Sequence, residues 1–243
     1  MKALILNSGV GSRMGVLTSE HPKCMTEIAG TETILSRQLR MLSERSISDI
    51  VITTGLFDGV LVNYCRSLEL PLHFTFVNNP AFKETNYIYS IYCARAYLKD
   101  DDVLLMHGDL VFEDSVLDDV LASRQSCMTV SSTAELPQKD FKAEIRDGKI
   151  VNVGVEFFNS AQAAQPLYKL MKADWLESVS YTHLRSERSD FQAGGKGEPD
   201  QSLLHRPQEA DHAVHEAGGG RRRYDDERSG ELPLQAQLHE KGH

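Results

Sequence analysis

The sequence predicts an α/β fold in which a mostly parallel sheet carries helices on both faces. Three observations predict it. Short apolar segments of strand length alternate with longer segments of helical periodicity between residues 2 and 122. Glycine and polar residues follow the apolar segments directly, where parallel sheets bind their ligands. The chain has 243 residues and is 41% hydrophobic, which suits one such domain with an extension.

Four apolar segments are predicted to be the strands of this sheet. Residues 3–6 are four apolar residues in a row, which is typical of a short buried strand. The other strands are predicted over residues 47–53, 72–77 and 102–106. Because helical crossovers join parallel strands, the carboxyl ends of all four are expected at one edge of the sheet.

Four helices are predicted, over residues 33–45, 58–68, 86–98 and 114–121. The first has apolar residues at helical spacing, namely Ile34, Leu35, Leu39 and Leu42. The third begins at Asn86, whose side chain can accept a hydrogen bond from a free backbone N–H, so Asn86 is predicted to be its N-cap.

A small β insertion is predicted over residues 128–155. Asp147 and Gly148 have the composition of a tight hairpin turn, which would join strands over 143–146 and 149–153. The insertion changes the pattern from alternating strands and helices to strands alone.

The composition changes after residue 177. Residues 1–177 contain ten isoleucines, and the 66 residues of 178–243 contain none. Such a composition buries little apolar surface. The sequence therefore predicts one domain over residues 1–177 and an atypical extension over 178–243 that is disordered or foreign to the fold.

The loop after the first strand has the composition of a phosphate-binding loop. It reads Asn-Ser-Gly-Val-Gly-Ser over residues 7–12, and its two glycines let the backbone turn and approach a bound group. Successive N–H groups in such loops bind anions, and Arg13 and Lys23 add positive charge. The G-x-G-x-x-G motif does not fit, because residue 14 is methionine, and the Walker motif does not fit, because valine follows Gly15.

Further candidate site residues follow the other strands. The pair Thr54-Gly55 follows the second strand, Asn79 the third, and Gly108-Asp109 the fourth. A carboxylate in this position can hold Mg²⁺ against phosphate groups, which makes Asp109 a candidate metal ligand. His107 is predicted to be structural, because a lone histidine at the end of an apolar strand more often has that role.

These segments resemble the nucleotidyltransferases that move a nucleoside monophosphate onto a phosphorylated small molecule. Their G-x-G-[ST]-R-M…P-K signature is present as residues 9–14 followed by Pro22-Lys23. The segment Thr85–Ser90 is similar to the phosphocholine cytidylyltransferase branch, and the resemblance continues through His107–Asp109. It covers residues 1 to about 177. It implies a Rossmann-like fold of the nucleotide-diphospho-sugar transferase type.

The resemblance also implies a Mg²⁺-dependent reaction, in which a substrate phosphate attacks the α-phosphorus of CTP and pyrophosphate leaves. The implied catalytic residues are Arg13, Lys23 and Asp109, of which Asp109 is the metal ligand. The implied nucleotide-binding residues are Asn7, Ser8, Gly9, Gly11, Ser12, Arg13, Lys23, Thr54, Gly55 and Asn79. The implied residues for a phosphorylated substrate such as phosphocholine are Asn86, Tyr89 and Tyr168.

Aromatic side chains are needed if the substrate carries a quaternary ammonium group. The candidates are Tyr87, Tyr89, Phe157, Tyr168 and Trp175. The spacing of Tyr89 and Tyr92 fits a core-facing helix surface equally well.

Two other functions remain open. One is a sugar-1-phosphate nucleotidylyltransferase that uses a different base. The other is a catalytically silent domain, because the family's second, C-terminal acidic metal ligand is not recognisable in residues 178–243.

Composition excludes several other classes of protein. The net charge of −9 argues against a general nucleic-acid binder. The four cysteines lack C-x-x-C spacing, which argues against a zinc site. No secretory leader and no membrane span are expected, so a cytoplasmic enzyme with small-molecule substrates is predicted, of open oligomeric state.

Overall fold

The computed structural model describes residues 1–9, 11, 19–136, 141–154 and 161–175, together with the backbone of 213–216. The predicted extension over residues 178–243 therefore lies outside the described residues, except for that short strand. The strands and α-helices of the described residues, in chain order, are β1 (Lys2–Leu6), β2 (Glu27–Ala29), β3 (Glu32–Thr33), α1 (Ile34–Glu44), β4 (Asp49–Thr54), α2 (Asp58–Ser67), β5 (His73–Asn78), α3 (Tyr87–Leu98), β6 (Val103–His107), α4 (Asp114–Ala122), β7 (Cys127–Ser131), β8 (Lys142–Arg146), β9 (Lys149–Gly154), β10 (Ala161–Leu170) and β11 (Ala213–Glu216).

Within the described residues, the main sheet has nine strands in the order β5-β4-β1-β6-β10-β7-β11-β9-β8. The four predicted strands are β1, β4, β5 and β6, and they pair in parallel. Their carboxyl ends therefore lie at one edge, as the sequence predicts. Strand β10 lies antiparallel between β6 and β7 and also pairs with β8, so the sheet is mixed beyond β6.

The helices lie on both faces of the sheet, which confirms the predicted fold class. One face packs against α1, α2 and α4 through a core that includes Ile5, Leu39 and Leu117. The other face packs against α3 and includes Leu4 and Trp175. Adjacent residues of β1 thus enter opposite cores, because successive side chains of a strand point to opposite faces. In the part of the chain that is described, no helix is both long and apolar enough to cross a bilayer.

Local signals predict two details of these elements correctly. Asn86 is the N-cap of α3, and its Oδ1 accepts a hydrogen bond from the backbone N–H of Ile88 at 2.9 Å. Asp147 and Gly148 join β8 to β9 with φ angles of 52° and 73°. A two-residue hairpin turn with both φ angles positive matches the twist of the flanking strands.

The four cysteines are expected to differ in reactivity. Cys24, Cys65 and Cys127 are buried, and Cys93 on α3 is half-buried. Burial raises the pKa of all four thiols, that of Cys65 to about 12. Because a reagent must also reach the sulfur, a thiol reagent at neutral pH should react promptly with the half-buried Cys93 alone in the folded chain and with all four cysteines in denaturant. Prompt reaction of a second cysteine in the folded chain would contradict this burial pattern.

Candidate functional site

A cavity of about 260 Å³ opens at the carboxyl ends of β1, β5 and β6. Eight of the site residues that the resemblance implies line it, and they come from five separate segments of the chain. The full lining is Leu6, Asn7, Ser8, Gly9, Gly11, Pro22, Lys23, Asn79, Phe82, Thr85, Asn86, Tyr87, Ser90, His107 and Asp109. Five segments therefore meet at one site: the first loop, the Lys23 turn, the end of β5, the start of α3 and the end of β6.

Hydrogen bonds beyond the strand ends hold the floor of this cavity in place. The backbone N–H of Asn7 donates to the carbonyl of Thr53 at 3.2 Å, and that of Gly108 donates to the carbonyl of Leu6 at 3.0 Å. The parallel ladder thus continues one residue past β1 and β6. This continuation fixes the position of Asn7 and of the residue next to Asp109, and both Asn7 and Asp109 line the cavity.

Two glycines allow the loops to pack closely. A Cβ atom at Gly108 would lie 1.7 Å from Oδ1 of Asn7, and a Cβ atom at Gly55 would lie 2.5 Å from the carbonyl oxygen of Ser8. Neither distance is possible without movement. Gly55 therefore supports the first loop from behind, outside the cavity lining. Glycine is favoured at position 11 for a different reason, because the backbone there has a φ angle of 70°.

Replacing Gly55 by alanine is expected to lower the free energy of unfolding by about 1–3 kcal/mol, because the new methyl group must displace the backbone of Ser8. Denaturant unfolding measures this change. Gly59→Ala is the matched control, since it lies four residues later in α2 with open space around the position. It should raise stability by about 0.5–1 kcal/mol. Equal behaviour of the two variants would contradict the close approach.

Opposite charges face each other at the cavity wall. Nζ of Lys23 lies 3.2 Å from Oδ2 of Asp109, and their side chains are 23% and 44% exposed. Lys23 begins a single 3₁₀ turn, Lys23–Met25, whose Cys24 side chain is buried and anchors it. The pair is accessible from the cavity, so each charge is available to a ligand of opposite sign.

Three buried polar atoms of the lining lack a hydrogen-bond partner within the described residues. They are Nδ2 of Asn7, Oγ of Ser8 and Nε2 of His107. Ser8 is only 7% exposed. Burial lowers the pKa of His107, opposed by Asp109 and reinforced by Lys23, so its imidazole is neutral at pH 7. Unpartnered buried polar atoms are costly, so these three positions suit a ligand or an ordered water that supplies their partners.

Tyr87 contributes an aromatic surface to the cavity. Its ring centroid lies 5.1 Å from that of His107 and 5.8 Å from that of Phe141, and the Tyr87 and Phe141 rings are nearly perpendicular, at 81°. Burial raises the pKa of the Tyr87 hydroxyl. Phe141 precedes β8, so the β insertion contributes to packing beside the site.

Two predicted nucleotide-binding side chains form hydrogen bonds inside the protein. The Thr54 hydroxyl donates to the Asp58 carboxylate at the start of α2. Nδ2 of Asn79 donates to Oγ1 of Thr85 at 3.2 Å and to Oγ of Ser90 at 3.0 Å. Asn79 still lines the cavity, whereas Thr54 is fully buried and does not. The hydrogen bonds of Asn79 hold the start of α3 against the strand ends.

The remaining aromatic candidates do not line the cavity. Tyr89 packs against Tyr92 with ring centroids 5.9 Å apart, and Tyr168 lies in the core beside β7. Trp175 is 1% exposed and packs in the core on the α3 face. Phe157 lies outside the described residues, as do Ser12 and Arg13.

The predicted metal ligand fits the chemistry of magnesium. Among the side chains that are described, no group of three or more His, Cys, Asp or Glu could hold a metal. Mg²⁺ bound to a nucleotide, however, takes only one or two protein carboxylates and the phosphate oxygens. Asp109 presents such a carboxylate to the cavity.

Sequence reasoning missed several residues of the lining. Phe82 carries no local signal of a role in binding. Thr85 and Ser90 belong to the stretch that carries the family resemblance, but their individual roles follow from hydrogen bonds to Asn79. His107, which the sequence predicts to be structural, also lines the cavity.

Comparison with known proteins adds to this geometry. The chain is 28% identical over 160 residues to a CTP:phosphoglutamine cytidylyltransferase of Campylobacter jejuni, a match that covers 63% of this chain and 62% of the relative. It is 34% identical over 110 residues to a choline-phosphate cytidylyltransferase of Haemophilus influenzae, covering 43% and 45%. The chain thus spans less than two thirds of the length of both relatives.

A solved structure shares the fold. The CTP:phosphocholine cytidylyltransferase of Streptococcus pneumoniae superposes with a TM-score of 0.67 at 19% identity, over 90% of each chain. Residues 3–192 match the family described as the MobA-like NTP transferase domain. This match covers most of the 243 residues. The chain therefore belongs to the MobA-like NTP transferase family.

Proposed function

We propose that this chain transfers CMP from CTP to a phosphorylated small molecule and releases pyrophosphate. The observation that carries the proposal is the Lys23–Asp109 pair, which lies beside the glycine loop in a cavity at the strand ends. The named relatives are cytidylyltransferases, which favours CTP over other triphosphates. Phosphocholine is the proposed type of substrate, with phosphoglutamine as a chemically related candidate.

Catalysis in this proposal rests on positioning and on neutralising charge, because both reactants are polyanions. Backbone N–H groups of the glycine loop would bind phosphate oxygens. Lys23 would exchange its contact with Asp109 for a contact with the triphosphate, and Arg13 is proposed to bind it as well. Asp109 would then be free to hold Mg²⁺, which neutralises charge that develops on the phosphates.

The substrate end of the cavity would be formed by Asn86 and Tyr87. Both line the cavity at the start of α3, and the aromatic ring of Tyr87 would contact a cationic group bound there. This feature favours an ammonium-bearing substrate over a sugar phosphate. Tyr89 and Tyr168 lie outside the lining, so we propose Tyr87 in their place.

The test uses the purified chain with Mg²⁺ and follows pyrophosphate release. Turnover should require CTP and a phosphorylated small molecule together, with phosphocholine, phosphoglutamine and a sugar 1-phosphate as the first compounds. Thermal shift with each of the four triphosphates gives an independent result. A ligand present at 100 times its Kd stabilises the folded state by about 2.7 kcal/mol.

Each outcome distinguishes one candidate function. Turnover with a sugar 1-phosphate and another triphosphate would favour the sugar nucleotidylyltransferase. A thermal shift without turnover would favour the catalytically silent domain. No shift with any triphosphate would contradict a nucleotide site altogether.

A further inference from the structure

Gln38 is a buried polar residue on the otherwise apolar inner face of α1. It is 2% exposed, and its buried neighbours on that helix are Ile34, Leu35, Leu39, Met41 and Leu42. A buried amide is costly unless its hydrogen bonds are formed. Its contacts therefore indicate why a polar group occupies this position.

The Gln38 side chain bridges the turn that follows β6. Its Nε2 donates to the carbonyl oxygen of His107 at 3.0 Å and to that of Leu110 at 2.8 Å. Both acceptors are carbonyl oxygens, so only the NH₂ end of the amide can serve them. The backbone N–H of Leu110 also donates to the His107 carbonyl at 3.2 Å, which closes the turn.

Asp109 is carried by this turn, between the two residues that Gln38 binds. The residue before it is Gly108, which has more backbone freedom than any other residue type. The Asp109 side chain is 44% exposed, so packing around it restrains it little. Three contacts restrain the backbone of residues 107–110: the bond from the Gly108 N–H to the Leu6 carbonyl, the turn bond from Leu110 to His107, and the two bonds from Gln38. Gln38 is the side chain among these that binds both ends of the turn.

We propose that Gln38 is a positioning residue, which holds Asp109 and His107 in the geometry that a bound ligand requires. The effect of Gln38 on turnover rests on the proposed function, whereas its effect on the backbone of residues 107–110 is independent of that function. The oxygen of the Gln38 amide is buried without a partner among the described residues, so the two Nε2 bonds account for its contribution.

The test compares Gln38→Met with Arg37→Met. Methionine matches the length of glutamine and removes its donors. Arg37 is the adjacent residue of α1, and its Nη2 donates to the carbonyl of Phe112 at 3.2 Å, beyond the turn. Three quantities are measured well below each melting temperature: kcat, KM for CTP, and hydrogen exchange of the Leu110 amide.

Gln38→Met is expected to lower kcat about 10- to 100-fold, because a displacement of about 1 Å at a reacting group costs about 100-fold. KM for CTP should change less than about threefold, since Lys23 and the glycine loop remain. The Leu110 amide should exchange about tenfold faster. Arg37→Met should leave all three near the wild-type values. Equal effects of both variants, or an unchanged kcat and exchange rate in Gln38→Met, would overturn the proposal.

Two further measurements keep the test decisive. Gln38→Glu keeps the side-chain length but directs an oxygen at two carbonyls, so its effect should be at least as large. In the wild-type chain, the Leu110 amide should exchange as slowly as those of β6, and rapid exchange there would refute the bridge without any substitution. If the wild-type chain shows no turnover, the proposed function fails, while the exchange measurement still tests Gln38.

Discussion

Asp109→Asn is expected to lower Mg²⁺-dependent turnover about 100- to 1,000-fold, the usual cost of removing one group that stabilises transition-state charge. Asparagine keeps the shape of the side chain but loses the charge that attracts a divalent cation. Because the carboxylate is partly exposed and its pair with Lys23 is accessible, stability should change little. Initial rates across a Mg²⁺ titration, with melting temperatures alongside, measure both effects.

Asp118→Asn is the matched control for this substitution. Its carboxylate pairs with Arg45 at 2.6 Å on the surface of α4, outside the cavity. It therefore removes a paired carboxylate without touching the site, and turnover should be unchanged. Retention of wild-type Mg²⁺ stimulation by Asp109→Asn would remove Asp109 from the metal site.

Lys23→Met is expected to weaken CTP binding about 10- to 100-fold, because a hydrogen bond to a charged group contributes about 1.5–3 kcal/mol. The aliphatic part of the side chain is kept, so the 3₁₀ turn at Lys23–Met25 should persist. Isothermal titration with CTP, with and without Mg²⁺, measures the change. Unlike the Asp109 variant, this one should still respond to Mg²⁺.

Lys172→Met provides the comparison for Lys23. Its amine is half-exposed, 3.9 Å from a carboxylate oxygen of Asp100, and lies outside the cavity lining. It lowers the net charge by the same amount without entering the site. If both variants bind CTP equally well, the affinity difference expected for Lys23 is wrong, and the triphosphate must contact other residues.

The candidate site was predictable from sequence to the extent that it follows strand ends. Asn7, Asn79 and Asp109 each lie within two residues of the end of a strand. Parallel pairing brings the carboxyl ends of these strands together. What each side chain does there was not predictable. Thr54 and Asn79 look alike as polar residues at a strand end, and both are buried. Thr54 nevertheless bonds to Asp58 outside the cavity lining, whereas Asn79 lines the cavity.

The sequence by itself determined the α/β class, the parallel core of the sheet, the N-cap at Asn86 and the hairpin turn at Asp147-Gly148. These depend on local periodicity and on backbone preferences of single residues, which neighbouring residues suffice to specify.

Only the tertiary structure decided the antiparallel placement of β10, the close approach of Gly55 to Ser8, and the bridge from Gln38 to the Asp109 turn. Each of these joins segments about 50 or more residues apart. No local pattern predicts such a contact, because the hydrogen bonds and contact distances between distant segments form only once the chain has packed.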